Sequence, residues 1–518
     1  MEANPMFMAL IPPSYEPPLL APTPDEVIEG HVVALTASYR AGLTRPLAAR
    51  KAQLRQLRAL LSDGLATLEH AMWLDLHKHP TEMYATEVAS CLREIQDHLD
   101  HLKSWTSPMR VGTNFANFPA SSHIVQEPRG VCGIMSTWNY PIYVTLMPLI
   151  GCISAGNVAL VRLPTEGTCD HVSGALAYLM DKYLDPAVVR YVAGGIDATK
   201  ALLRHPYDLL FCTGGATIGK VVARAAAETL TPTVLELGGK SPAIVHSDTS
   251  LEMTARRLVW GAFLNAGQTG IRPDYVFAHE SIGPALVEAM RQAIVDAYGA
   301  SPADSQSYGR LVNAAQFDRI ERIFETDRAF LVHGGIGDRA QRYFAPTLLN
   351  FEGDYTAFAA SACMQAEIFG PLLPIVYYHD VDEPLLHIAT HATPMAVYIF
   401  TGSSAVKQFV ITHSRSGSMC VNDVMVQVTN HKLPFGGMGA SGMGAYHGRF
   451  SFAAFSHAKA VMHMSFLWDF RQRYAPYTPF ARKLLGAVLH PVPRVWLWVF
   501  RVVVVLAIVG IVLGLTLR

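Results

Sequence analysis

Several short segments of this chain gather residue types that can do chemistry. In STWNYP, Ser136 to Pro141, Asn139 offers an amide donor suited to holding an oxyanion. LELGGKSP, Leu235 to Pro242, sets Glu236 between leucines ahead of paired glycines. A carboxylate in apolar surroundings has a raised pKa and can act as a general base. The plainer alternative is a structural Glu236 paired with Lys240. FCTGGATIGK, Phe211 to Lys220, follows an apolar run and leads into the helix-like VVARAAAETL. Glycines there let a helix N-terminus approach a pyrophosphate, where free N–H groups and the helix dipole favour anions. The segment is not GxGxxG, and a tight turn with no ligand accounts for it equally well. AEIFGP, Ala366 to Pro371, and LPFGGMGASGMGAYHG, Leu433 to Gly448, complete the set.

In this order and spacing the segments closely resemble the aldehyde dehydrogenase superfamily. TWNYP, LELGGKSP, EIFGP and the ending SGMGAYHGRFSFAAFSH resemble its class 3 branch. That branch includes membrane-anchored fatty aldehyde dehydrogenases and fungal apocarotenal dehydrogenases. The resemblance runs from about Leu43 to His457. It implies a mechanism in which a cysteine thiolate attacks an aldehyde and an amide donor stabilises the oxyanion. Hydride then passes to NAD or NADP, and a carboxylate activates water to release the acid from a thioester. Matched residue by residue, the amide donor is Asn139, in a segment shared with Trp138, and the base is Glu236. Glu367 and Phe369 fall at the nicotinamide ribose and ring. Gly214, Gly215 and Gly219 fall in the pyrophosphate turn.

Two departures from the family pattern stand out. The nucleophile of the family lies in a GQTC segment, and here the chain reads NAGQTGIRPDY, with Gly270 at the cysteine position. The flanks Gly267-Gln268-Thr269 and Pro273-Asp274-Tyr275 are intact. Losing a nucleophile that works with a base costs on the order of 10⁴–10⁶ in rate, by analogy with protease triads. The second departure is AGNVALVRLPTE. Counted without a gap, Arg162 takes the family lysine at the adenosine side and Thr165 takes the acid on the ribose. A one-residue insertion instead restores Glu166 to the ribose and puts Leu163 at the lysine.

The elements that must position these residues follow from periodicity. Residues 1 to about 26 are Pro-rich and read as extended. From there to Trp105 the pattern is helical. Leu47, Leu54, Leu57, Leu60 and Leu61 share a face, with Arg50, Arg55 and Arg58 between them. Residues 110–125 suit an exposed hairpin. From Gly130, short apolar runs (VCGIMS, NVALVRL, VVRYVAG, DLLFCTG, PAIVH) alternate with helical segments, which argues for βαβ units and parallel sheet. The expected fold is α/β, of aldehyde dehydrogenase type. A Rossmann-like NAD(P) domain spans 28–234 and a catalytic α/β domain 235–430. A bridging element joins the hairpin to 431–470.

Composition bounds the rest. The 518 residues carry a net charge of −1, and no basic stripe or recognition motif supports nucleic-acid binding. The 7 cysteines are scattered and form no CxxC or Cys/His cluster, which argues against a disulfide framework or a metal site. The N-terminus lacks a basic n-region and does not read as a signal peptide. Val495 to Leu517 is continuous hydrocarbon apart from Arg501, close to the roughly 20 residues needed to cross a bilayer. Arg471, Arg473, Arg482, Lys483 and Arg494 precede it, so the positive-inside rule keeps the main domain in the cytosol. The expectation is a single-pass tail anchor, in the endoplasmic reticulum, with the mitochondrial outer membrane as the alternative. By family resemblance the substrate is a long hydrophobic aldehyde and the protein is a homodimer. With Gly270 in place, the alternative is an inactive nucleotide- or aldehyde-binding member, a scaffold, or a defective allele.

Overall fold

The computed structural model describes residues 18–466 and 469–490, with residues 495, 498, 502, 505 and 506 beyond them. The N-terminal helices are α1 (Asp25–Arg40), α2 (Leu47–Asp63), α3 (Leu65–Leu76) and α4 (Ala89–Thr106). On α2 the leucines 54, 57, 60 and 61 are all fully buried, as a 3.6-residue period requires. Arg50, expected among the polar positions, is also buried. Its guanidinium donates to the carbonyls of Thr44 (2.8 Å) and Ser154 (3.3 Å). It thereby caps the C-terminus of α5 (Tyr143–Ala155), which turns off at Gly156 with φ 93°. Helix α5 is apolar all round and buried along almost its whole length, so it is a core helix.

Two parallel sheets carry the larger part of the molecule. The first contains β3 (Val131–Met135), β4 (Val158–Leu163), β5 (Val189–Ala193), β6 (Leu209–Gly214) and β7 (Thr233–Leu237), and its order is β17-β7-β6-β3-β4-β5. The helices between these strands include α6 (Asp170–Tyr183), α7 (Ile196–Leu202) and α8 (Ala216–Glu228). The short β17 (Gly442–Met443) runs antiparallel to β7, with Gly442 opposite Glu236. The second sheet is built from β8 (Pro242–Val245), β9 (Tyr275–His279), β10 (Leu331–His333), β13 (Thr347–Asn350), β14 (Leu372–Tyr378), β15 (Ala396–Phe400) and β16 (Ser418–Val421). Its order is β10-β13-β14-β9-β8-β15-β16, parallel except where β10 meets β13. β11 (Gly337–Asp338) and β12 (Tyr343–Phe344) form a separate two-stranded ribbon.

The first sheet ends after Leu237 rather than after Val234, because Leu235–Leu237 pairs with Cys212–Gly214. Among the described residues, those up to Thr106 and Gln126–His457 form one compact unit, and Ser107–Val125 with those from Ala458 form a second. The hairpin of β1 (Met109–Val111) and β2 (Ser121–Pro128) joins β18 (Ser456–His463) in a three-stranded sheet, most of whose residues belong to this second unit. Residues 431–457, expected with the hairpin, belong instead to the larger unit, since β17 adds to the first sheet. The membrane span expected over 495–517 lies outside the described residues, apart from the isolated positions named above. Among the described residues no helix is long and apolar enough to cross a membrane.

Candidate active site

The site lies within the larger unit and is assembled from the loops after β3, β7 and α9 (Leu251–Phe263), together with the residues before β14. The loop after β3 carries Asn139, which is buried. Its backbone carbonyl accepts from Lys78 Nζ (3.2 Å) and Asn265 Nδ2 (2.7 Å). Its own Nδ2 donates to the Gln268 carbonyl (3.2 Å). Lys78 is fully buried and ion-paired to Glu87 at 2.6 Å. The other Glu87 oxygen accepts from the Ile142 N–H at 2.9 Å. Burying both charges is tolerable because each is paired and hydrogen-bonded. The result is an amide whose backbone is held from two sides.

The segment Gln268–Arg272 is held just as firmly. The Gln268 side chain donates to the carbonyls of Asn265 (2.9 Å) and Arg310 (3.0 Å) and accepts from the Val312 N–H (2.9 Å). Thr269 Oγ1 and the Tyr140 hydroxyl lie 2.7 Å apart. Arg272 is buried and donates to the Leu372 carbonyl at 2.6 Å and to the Gly370 carbonyl. In the middle stands Gly270. Its φ is not left-handed, and a Cβ built there meets only Glu367 Oε1, at 3.9 Å.

Two carboxyl groups complete the chemistry. Glu236, on β7, is buried, and neither of its oxygens has a partner among the described residues. Burial pushes its pKa well above the usual carboxylate range. Lys240 does not pair with it. Its ammonium lies 2.5 Å from Asp274 and donates to the Cys363 carbonyl at 2.7 Å, which removes the structural alternative. Glu367 is pushed up to about 8 by burial and by Asp274, although the Gly239 N–H donates to it. Its carboxyl covers Gly238, where a Cβ would collide with it.

The nucleotide end follows the same strands. β6 turns into α8 through Gly214 and Gly215. A Cβ on Gly214 would stand 2.5 Å from Ile218 Cγ2, and one on Gly219 2.5 Å from Leu237 Cδ2. Gly219 thus allows α8 to lie directly on β7. Gly215 caps α8 with no side-chain hydrogen bond, no acid follows in the first turn, and nothing crowds the position within 4 Å. An open helix N-terminus of this kind suits a pyrophosphate. Trp138 and Phe369 meet edge to face at 5.3 Å. Arg162, at the end of β4, spends its guanidinium on the carbonyls of Gly194 (2.9 Å) and Ser136 (2.7 Å). Thr165 is buried, and its hydroxyl has no partner among the described residues. Exposed Glu166 lays its carboxylate against Gly195, at the start of α7.

The structure sets the Asn139 amide on the Gln268 carbonyl, two residues before Gly270, and Glu367 against both Gly238 and the Cβ side of Gly270, while Glu236 is buried on β7. Sequence reasoning missed Lys78, Glu87, Asn265 and Arg272. Nothing in their local sequence marks them, because each acts on a residue distant in the chain. The profile of the aldehyde dehydrogenase family matches residues 31–461. Aldehyde dehydrogenase family 3 member H1 of Arabidopsis thaliana is 40% identical over 88% of this chain and 94% of its own length. The 4,4'-diaponeurosporen-aldehyde dehydrogenase of Staphylococcus aureus is 36% identical over 87% of this chain and 97% of its own. The substrate-bound structure of Staphylococcus aureus AldH superposes with a TM-score of 0.85 at 35% identity, over 89% of this chain and 99% of that one. Fold, site and relatives agree: the chain belongs to the aldehyde dehydrogenase family and has its NAD(P)-binding architecture.

Proposed function

We propose that this protein binds NAD(P) and a long hydrophobic aldehyde, and that its own oxidation step is crippled because the attacking thiol is absent. The observation that carries this reading is Gly270, set in an intact frame with no side chain to attack a carbonyl. No other cysteine takes its place. Of the 7 cysteines, all but Cys420 are buried. Burial raises Cys169 and Cys363, and Cys169 spends its S–H on the Trp138 carbonyl at 3.0 Å. A reactive cysteine requires the opposite environment. NAD(P), when bound, supplies the hydride acceptor. Asn139 would hold the carbonyl oxygen and Glu236 would take the proton. The test is NAD(P)H formation by purified protein with a long-chain aldehyde, run beside Gly270→Cys. Turnover by the unmodified chain comparable to that of the variant would overturn the reading.

The aldehyde is placed at the cytosolic face of a membrane, with residues 495–517 as the anchor and the endoplasmic reticulum as its site. Support comes from the apolar run and the basic residues before it. Deleting 495–518 should release a folded, soluble protein, and retention in the pellet after alkaline wash would refute the anchor. The canine relative named "Aldehyde dehydrogenase, dimeric NADP-preferring", 38% identical, supports a homodimer, which light scattering of the truncated protein would test.

A further inference from the structure

The glycine at 270 differs from four other glycines of the site. A Cβ at Gly214, Gly219, Gly238 or Gly267 would press on a neighbouring atom. At Gly270 neither space nor backbone conformation demands glycine, since the nearest atom to a built Cβ is Glu367 Oε1 at 3.9 Å. The flanks are nonetheless held by Tyr140, Arg310 and Leu372 through the hydrogen bonds described above. The site therefore keeps a held Asn139, a buried Glu236 with no partner among the described residues, and a position 270 where a Cβ meets only an ordinary contact. We propose that the nucleophile is supplied from outside, by a small thiol co-substrate, and that the product is a thioester rather than an acid. The inference rests on the reading that the chain's own covalent step is missing.

The chemistry balances with residues already in place. Glu236, once ionised, takes the proton of the thiol R′SH. The sulfur attacks the aldehyde carbon, a C–S bond forms, and the carbonyl π pair moves to oxygen beside the Asn139 amide. The oxyanion then re-forms C=O as the C–H bond breaks, and the hydride leaves to NAD(P)⁺. The net reaction is RCHO + R′SH + NAD(P)⁺ → RC(O)SR′ + NAD(P)H + H⁺. A free thioester can diffuse away, whereas a thioester tethered to the protein must be hydrolysed. The thiol class is set by size, because the sulfur must reach the place that a cysteine side chain would fill.

The test uses the full-length protein in detergent with NAD⁺, a long-chain aldehyde and 2-mercaptoethanol. NADH formation should rise at least tenfold with the thiol, and mass spectrometry should show the thioester in equal amount. Gly270→Val, which fills the space, should remove the thiol-dependent rate. Calorimetry of NAD⁺ binding will show whether that variant stays folded, and the smaller Gly270→Ala should fall between. In nucleotide-free protein, ¹³C-labelled aldehyde should give a bound hemithioacetal resonance with the thiol for the parent and not for Gly270→Val. If Gly270→Cys oxidises the aldehyde to acid while the parent with thiol yields no thioester, the proposal is wrong and the reading beneath it survives. Fast turnover by the parent without thiol overturns both.

Discussion

Two glycine-bearing turns of this protein teach opposite lessons. In the β6–α8 turn and the start of α8, Gly214 and Gly219 are there because a side chain would not fit, with Ile218 and Leu237 each 2.5 Å from a built Cβ. In the turn after α9, Gly270 has room on the side where a Cβ would point. In the first turn, glycine lets the backbone and α8 pack against Ile218 and Leu237. The second keeps everything around the glycine except a reason for it. Packing thus accounts for the glycine at 214 and 219 and does not account for the one at 270.

The sharpest way to test that contrast is Gly270→Cys. With an unstrained backbone and Glu367 as the nearest neighbour, the thiol should fit. Aldehyde oxidation should rise by about 10³-fold or more, a partial recovery of the roughly 10⁴–10⁶ that such nucleophiles contribute. Steady-state NAD(P)H formation will read it, and no gain despite intact nucleotide binding would mean that the frame does not aim position 270 at the carbonyl. In that background, Glu236→Gln should lower turnover by about 10²–10⁴, the usual share of a general base. The pH profile gives the sign. Burial raises Glu236 above the ordinary carboxylate range and only its anion is a base, so rate should climb as pH rises through that elevated value. A profile flat down to the ordinary carboxylate range would assign the base elsewhere.

Smaller effects test the packing half of the comparison. Gly219→Ala places a methyl 2.5 Å from Leu237 Cδ2 and should cost about 1–3 kcal/mol of stability, with weaker NAD(P) binding. Gly270→Ala meets nothing nearer than 3.9 Å and should stay within about 0.5 kcal/mol. Denaturant unfolding of the pair decides it, and equal losses would erase the distinction. The smallest effect concerns nucleotide choice. The Arg162 guanidinium is already bound by two carbonyls, and Glu166 presents an exposed carboxylate at Gly195. That leaves the Arg162 guanidinium committed rather than free to meet a 2′-phosphate. NAD should therefore bind more tightly than NADP, and Glu166→Gln should shift the ratio toward NADP by about twofold to fivefold, the scale of a partly exposed charge pair. Calorimetric affinities of both nucleotides for both proteins provide the check.

What the sequence determined by itself was the set of local facts: alternating apolar runs and helical segments, the family motifs, and the missing thiol at 270. Each is readable because strand and helix periods, Gly-rich turns and contiguous motifs are encoded within a few residues of one another. The α2 leucines, Asn139, Glu236 and the β6–α8 turn were legible for that reason. Tertiary structure alone decided three things. It gave Lys240 to Asp274 and left Glu236 unpartnered, although Lys240 is the nearer neighbour in the chain. It placed Arg50 on the end of α5 and Lys78 behind Asn139, across separations of 104 and 61 residues. It also showed that Gly270 is free of steric demand. These are statements about which distant atoms share a dry interior, where an unmatched charge or an overlapping atom costs most, and no local pattern carries them.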